Sequence, residues 1–163
     1  MKKFELTNEF ITNMFGTKLF RIRALVEFGD VEAGELGGYV EKESNLGHDD
    51  NAWVYGNALV CGNALVCGDA LVCGNARVCS DEDYAYAHGF GSVNRTTTFF
   101  RLKDGGVGVR CGCFYGTLAQ FRDKIRETHG ETKKAQEYLM LADLMELRFE
   151  EDENEVGNRK YVE

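Results

Sequence analysis

The stretch VYGNAL-VCGNAL-VCGDAL-VCGNAR-VCSDED, Val54 to Asp83, repeats every six residues. Val54, Val60, Val66, Val72 and Val78 share one phase, and Ala58, Ala64, Ala70 and Ala76 share another. A period of six fits neither a 3.6-residue helical face nor a helix pair, whereas short strands joined by tight corners recur at that length. Branched valine suits the inside of a short strand, alanine a crowded corner, and Gly-Asn or Gly-Asp a bend that needs left-handed backbone angles. The spacing therefore predicts a three-sided coil in which three six-residue units make one turn and the valines point inward. Asn51-Ala52 already matches the Asn57-Ala58 phase, and the pattern decays through Tyr84, His88 and Phe90.

On these residues the chain resembles the hexapeptide-repeat superfamily, whose members form left-handed parallel β-helices, commonly as trimers. The flanks GELGGYVEKESNL (Gly34–Leu46), SVNRTTTFF and CGCFYGTL (within Ser92–Leu118) resemble those of short uncharacterised phage and prophage members of that superfamily. The resemblance implies a mainly β fold: a short left-handed parallel β-helix with an N-terminal strand-and-turn cap and a C-terminal hairpin plus two helices. The expected divisions are a lead-in and cap at 1–45, the repeat at 46–94, the hairpin and helices at 95–149 and an acidic tail at 150–163. A coil of so few turns leaves both ends open, so terminal covers and self-association into a homotrimer are expected.

At 163 residues, 44% of them hydrophobic and 28% charged, the chain suits one modest domain and not global disorder. The net charge of −8 is concentrated in the tail, where Glu150, Glu151, Asp152, Glu153 and Glu155 supply five negatives. Between Asn45 and Asn94 the only basic residue is Arg77, which offers no stripe for a phosphate backbone and argues against nucleic-acid binding. The opening MKKFELTNEF lacks the apolar run of a signal peptide, and no later segment has the length of a membrane span, so a cytoplasmic location is expected, the host cytoplasm for a phage product. Reduced thiols are expected for the six cysteines in that compartment.

Outside the repeat, Lys18–Val26 alternates as a half-buried strand, Phe28-Gly29-Asp30 reads as a turn, and Gly34, Gly37 and Gly38 mark tight backbone. Those glycines do not make a phosphate loop, because no Lys-Ser/Thr pair or helix follows. Asp104-Gly105-Gly106 predicts a hairpin between strands at 96–103 and 107–114. Thr117 and Gln120 have capping-box spacing, so a helix is expected from about Leu118 to His129, ending at Gly130. In a second helix, Thr132 to Phe149, Ala135, Tyr138, Leu139, Ala142, Met145 and Phe149 make one apolar stripe, and Leu141, Leu144 and Leu147 a second beside it. One stripe should pack on the hairpin and the other on a neighbouring subunit.

Several groups are candidates for chemistry. Cys61, Cys67, Cys73 and Cys79 recur every six residues and so diverge; only Cys61 and Cys79 should stack, ~4.8 Å apart, and a pair is too few for zinc. Cys111 and Cys113 are read as thiols packing beside Val107 and Val109, and no metal is expected. Ser92, Asn94, Arg95, Thr96, Thr97, Thr98, Arg101, Lys103 and Arg110 form the most polar and basic stretch beside the repeat. Alternation places Arg95, Thr97, Arg101 and Lys103 on one side, where they suit a phosphate or carboxylate, with His88 nearby.

The leading expectation is thus a non-catalytic, phage-type trimer that binds a host protein or sequesters a small anionic, nucleotide-like ligand, with interference with host defence as the expected job. The resemblance also implies an alternative, an acyltransferase with coenzyme A as donor and His48 or His88 as general base; His129, at a helix end, is a weaker candidate. A structural assembly protein is the third reading. No cofactor is expected for the first and third.

Overall fold

The computed structural model of the protein describes residues 1–91 and 95–150. Its strands begin with a hairpin, β1 (Phe4–Thr12) and β2 (Lys18–Ala24), closed where Asn13 Oδ1 accepts the Phe15 and Thr17 N–H groups at 2.9 Å each. β2 pairs antiparallel with β3 (Leu36–Val40). Four two-residue strands follow: β4 (Trp53–Val54), β5 (Leu59–Val60), β6 (Leu71–Val72) and β7 (Arg77–Val78). β3 pairs in parallel with β5 and β5 with β7, giving the order β1-β2-β3-β5-β7, while β4 and β6 make a separate parallel pair.

A third, antiparallel sheet has the order β11-β10-β9-β8, from β8 (Tyr84–Phe90), β9 (Arg95–Arg101), β10 (Val107–Cys111) and β11 (Phe114–Thr117). Two helices complete the chain, α1 (Leu118–His129) and α2 (Lys133–Phe149). Thr117 caps α1 through a capping box with Gln120, and Thr132 accepts the Ala135 N–H at the start of α2.

The expected fold class is corrected. The architecture is mixed α/β, with three open sheets of mixed, antiparallel and short parallel order, and not a left-handed parallel β-helix solenoid. The six-residue period does bury Val54, Val60, Val66, Val72 and Val78, and it aligns Val54 with Val72 and Val60 with Val78. That register never extends into a closed stack. On one side, β3 enters the same sheet already paired antiparallel to β2. On the other, a 3₁₀ turn at Asp81–Asp83 delivers the chain into antiparallel β8. Two-residue parallel pairs hemmed by antiparallel strands leave open, mixed sheets. The likeness to hexapeptide-repeat proteins falls with the fold it implied, and the phage context that came with it loses its footing.

Two cores lie back to back across β9. Phe100 packs with the valines, Phe4, Ile22 and Trp53, whereas Phe99 packs with Val109, Phe121, Ile125, Tyr138, Met145 and Phe149. Alternation along one strand separates them, because successive side chains leave opposite faces. The stripe Ala135, Tyr138, Ala142, Met145 and Phe149 of α2 is buried on the sheet, and Leu144 and Leu147 of the second stripe are exposed. Cys61 and Cys79, side by side on the β5–β7 ladder with Cα atoms 4.5 Å apart, form a disulfide, which corrects the expectation of reduced thiols at that pair. Cys67, Cys73, Cys111 and Cys113 are free. No helix among the described residues is long and apolar enough to cross a membrane.

Candidate functional site

The N-terminal residues close over the turns at 48–51 and 68–69 to leave a cleft of about 640 Å³, lined in part by Lys3, Phe28, His48, Asp49, Asp50 and Asp69. Lys3 anchors it. Its side chain is 3% exposed, and Nζ donates to the Asp50 carbonyl at 3.0 Å, Asp50 Oδ1 at 3.1 Å and the Ala52 carbonyl at 2.8 Å. The ammonium also lies 4.7 Å from the centre of the Phe28 ring. Burial pushes the Lys3 pKa down, and the hydrogen bond and charge of Asp50 oppose that shift. Asp50 accepts further N–H groups from Ala52 at 3.1 Å and Gly68 at 2.8 Å, so one carboxylate ties three segments together.

His48 is held as firmly. Its ring stacks on Phe4 at 4.3 Å, and Nδ1 accepts the Lys3 backbone N–H at 3.2 Å. A neutral imidazole with Nδ1 so engaged carries its hydrogen on Nε2, here 3.9 Å from Glu43 Oε2. It therefore has no lone pair free to take a proton from a substrate. His88 sits across the cleft rim, with Nδ1 at 2.8 Å from Thr96 Oγ1 and 4.0 Å from Asp69 Oδ2. Its side chain is 58% exposed, so water is not excluded from it. Asp69 also accepts from Asn51 Nδ2 at 3.3 Å, and this carboxylate brings the two sides of the rim together. His129 lies elsewhere, stacked on Tyr138 at 5.9 Å.

The basic residues expected to bind an anion do not converge. Thr97 and Arg101 do share a face of β9, but α2 covers it. Thr97 donates to Cys111 Sγ at 3.3 Å, and Arg101 donates to the Gly105 and Phe149 carbonyls at 3.1 and 3.2 Å and pairs with Asp83. Arg101 lies 5.3 Å from the Phe149 ring, as a buried clamp rather than an open receptor. Arg110 is on the opposite face of the sheet, 5.8 Å from the Tyr55 ring and bonded to the Cys73 thiol. Burial pushes that thiol up to about 11, which keeps it protonated and unreactive near neutral pH. Arg95 is exposed beside Gly112 at the start of β9, and Lys103 is exposed beyond its end. Ser92 and Asn94 lie outside the described residues, as does the acidic tail after Glu150.

The rim instead exposes carboxylates. Glu27, Asp49 and Asp69 surround the cleft, and the neighbouring strand β8 presents Tyr86 and His88 on the same side as Tyr84, whereas a bulge between His88 and Phe90 pairs Phe90 with Arg95 on the other face. Tyr86 is 40% exposed and reaches Gly68 with its hydroxyl, while Phe90 is 36% exposed. Among the described residues no group of three or more His, Cys, Asp or Glu side chains is arranged to hold a metal ion. Sequence reasoning missed Lys3, Asp50 and Tyr86. The alternation Phe4, Leu6 was a signal for β1, but nothing local marks Lys3 as buried, since its partners lie 47 and 49 residues away.

Compared with known proteins, the chain matches no family model and none of the curated proteins.

Proposed function

We infer that this chain is a non-catalytic binding protein whose partner is a protein presenting basic side chains to the Asp69 face. The observation that carries this reading is the placement of a carboxylate-rimmed cleft beside the exposed Tyr86 of β8. Tyrosine supplies large contact area at small entropic cost, and both its aromatic face and carboxylates accept an arginine or lysine. Capture of a small anion is disfavoured by the division of Arg95, Arg101, Lys103 and Arg110 among a strand start, a buried face, a turn and the opposite face. Acyl transfer is disfavoured by the occupied Nδ1 of His48 and the exposure of His88.

The test is calorimetry at low salt with a short arginine-rich peptide and a glutamate-rich control. The arginine peptide should bind, the control should not, and Asp69→Asn or Tyr86→Ala should each weaken binding about tenfold, or ~1.4 kcal/mol. Equal binding of the two peptides, or none, rejects the reading. A coenzyme A-induced rise in melting temperature that is lost in His88→Ala would favour the acyltransferase instead.

A further inference from the structure

We propose that the open edge of β8 takes up an extended segment of the partner protein as an added strand, with basic side chains at alternate positions set over the Asp69 carboxylate. The inference rests on the reading above and specifies how the partner is held. β8 is the terminal strand of its sheet and pairs with β9 alone. Arg148 donates to the Tyr84 carbonyl at its start, and Tyr138 donates to the Phe90 carbonyl at its end. Between them, among the described residues, nothing outside the sheet bonds to the main chain of residues 85–89. A sheet edge of that kind presents a row of N–H and C=O groups that a further chain can pair.

The side chains beside the edge decide what that chain is. Tyr86 and His88 leave β8 on the cleft side, where the Tyr86 hydroxyl reaches Gly68 and His88 lies 4.0 Å from Asp69 Oδ2. Ala85 and Ala87 leave it on the helix side and are half-buried. Residues opposite one another on neighbouring strands stand about 4.5–5.5 Å apart, so every second side chain of the added strand lies next to Tyr86 or His88 and over the rim. Glu27, Asp49 and Asp69 supply the charge there, and among the described residues none of them is in an ion pair with a lysine or arginine. Asp50 is already paired with Lys3 and takes no part. The intervening residues, beside the two alanines, need only be small. The occupant is therefore an extended segment that reads basic, small, basic. A helix does not fit the edge, because its main-chain groups are bonded within itself. The bulge between His88 and Phe90 ends the edge, so the added strand is short.

Two hexapeptides with the side chains Arg-Thr-Arg-Thr-Arg-Thr test this by calorimetry against the full chain at low salt, one with an ordinary backbone and one N-methylated at every residue. The ordinary peptide should bind. The methylated one keeps the charges but loses every main-chain donor, and should bind at least tenfold more weakly. Amide hydrogen exchange at residues 85–89 should slow when the ordinary peptide is added. Failure of the ordinary peptide to bind removes the binding reading itself and this inference with it. Equal binding of the two peptides, or protection that falls outside β8, leaves charge recognition standing and overturns strand addition.

Discussion

The ammonium of Lys3 is a buried charge whose cost is offset locally, by three oxygens and the face of Phe28. Removing its counter-charge is therefore worse than removing the charge itself. Asp50→Ala leaves an unpaired buried ammonium and frees the Gly68 and Ala52 N–H groups, so a loss of about 3–5 kcal/mol is expected in urea unfolding. Lys3→Met keeps most of the volume and should cost appreciably less. The two variants also differ in pH dependence. Because burial holds the folded-state pKa of Lys3 below its ordinary 10.5, the unfolded chain keeps a proton that the folded chain has released as pH approaches 10.5 from below. The contribution of this group to stability accordingly rises with pH across that window. The stability gap between the native chain and Lys3→Met should move in the native chain's favour there. A gap that stayed flat or moved the other way would mean that Lys3 is not desolvated.

At the scale of elements, two glycines flanking the entry to the parallel strands do different work. Gly38 lies where β3 meets the repeat, and a Cβ there would stand 2.6 Å from the Ala58 carbonyl oxygen and 2.7 Å from Val54 Cγ1. Gly34 meets nothing, but its φ of +90° disfavours any side chain. Gly38→Ala forces backbone apart and should cost about 1–3 kcal/mol or more, and Gly34→Ala about 1–2 kcal/mol from conformation alone. Thermal unfolding of the two variants checks the order, and a reversal would place the close approach elsewhere. Elements of this kind were legible in the sequence because their causes are local. The Asp104–Gly106 hairpin, the Thr117 cap and the buried stripe of α2 are all written within a few residues of themselves. The burial of the valines was legible too, since a period of six demands it. What joins the elements was not. The antiparallel pairing of β2 with β3, the reversal at Asp81–Asp83 and the reach of Lys3 to Ala52 are non-local, so the periodic stretch suggested a closed coil that its neighbours interrupt. The candidate site suffered most, because alternation correctly grouped Thr97 with Arg101 but gave no sign that α2 covers their face.

For the molecule as a whole, the question is whether two cores on opposite faces of β9 unfold as one. Phe100 belongs to the core that holds Trp53, and Phe99 to the core that holds both helices. Between them run Thr98, which accepts the Leu71 N–H at 3.0 Å, and Arg101, whose guanidinium reaches from Asp83 to the Phe149 carbonyl. Arg148 adds bonds from α2 to the Asp81 and Tyr84 carbonyls at 3.1 and 3.4 Å. Cross-links of this density predict a single cooperative transition. The sequence supplies the reporters, since its one tryptophan is in the first core and both α-helices pack on the second. In the native chain, Trp53 fluorescence and helical circular dichroism should therefore trace the same denaturation curve. Phe100→Ala removes a fully buried ring from the first core alone, at a cost of about 3–5 kcal/mol. The fluorescence transition should then move to lower denaturant and separate from the helical signal, because Phe99, Val109 and the two helices retain their own contacts. If the two curves still coincide while both shift, β9 transmits the loss in full and the cores form one folding unit. If they are already separate in the native chain, the bridge through Arg101 and Thr98 is weaker than its geometry implies.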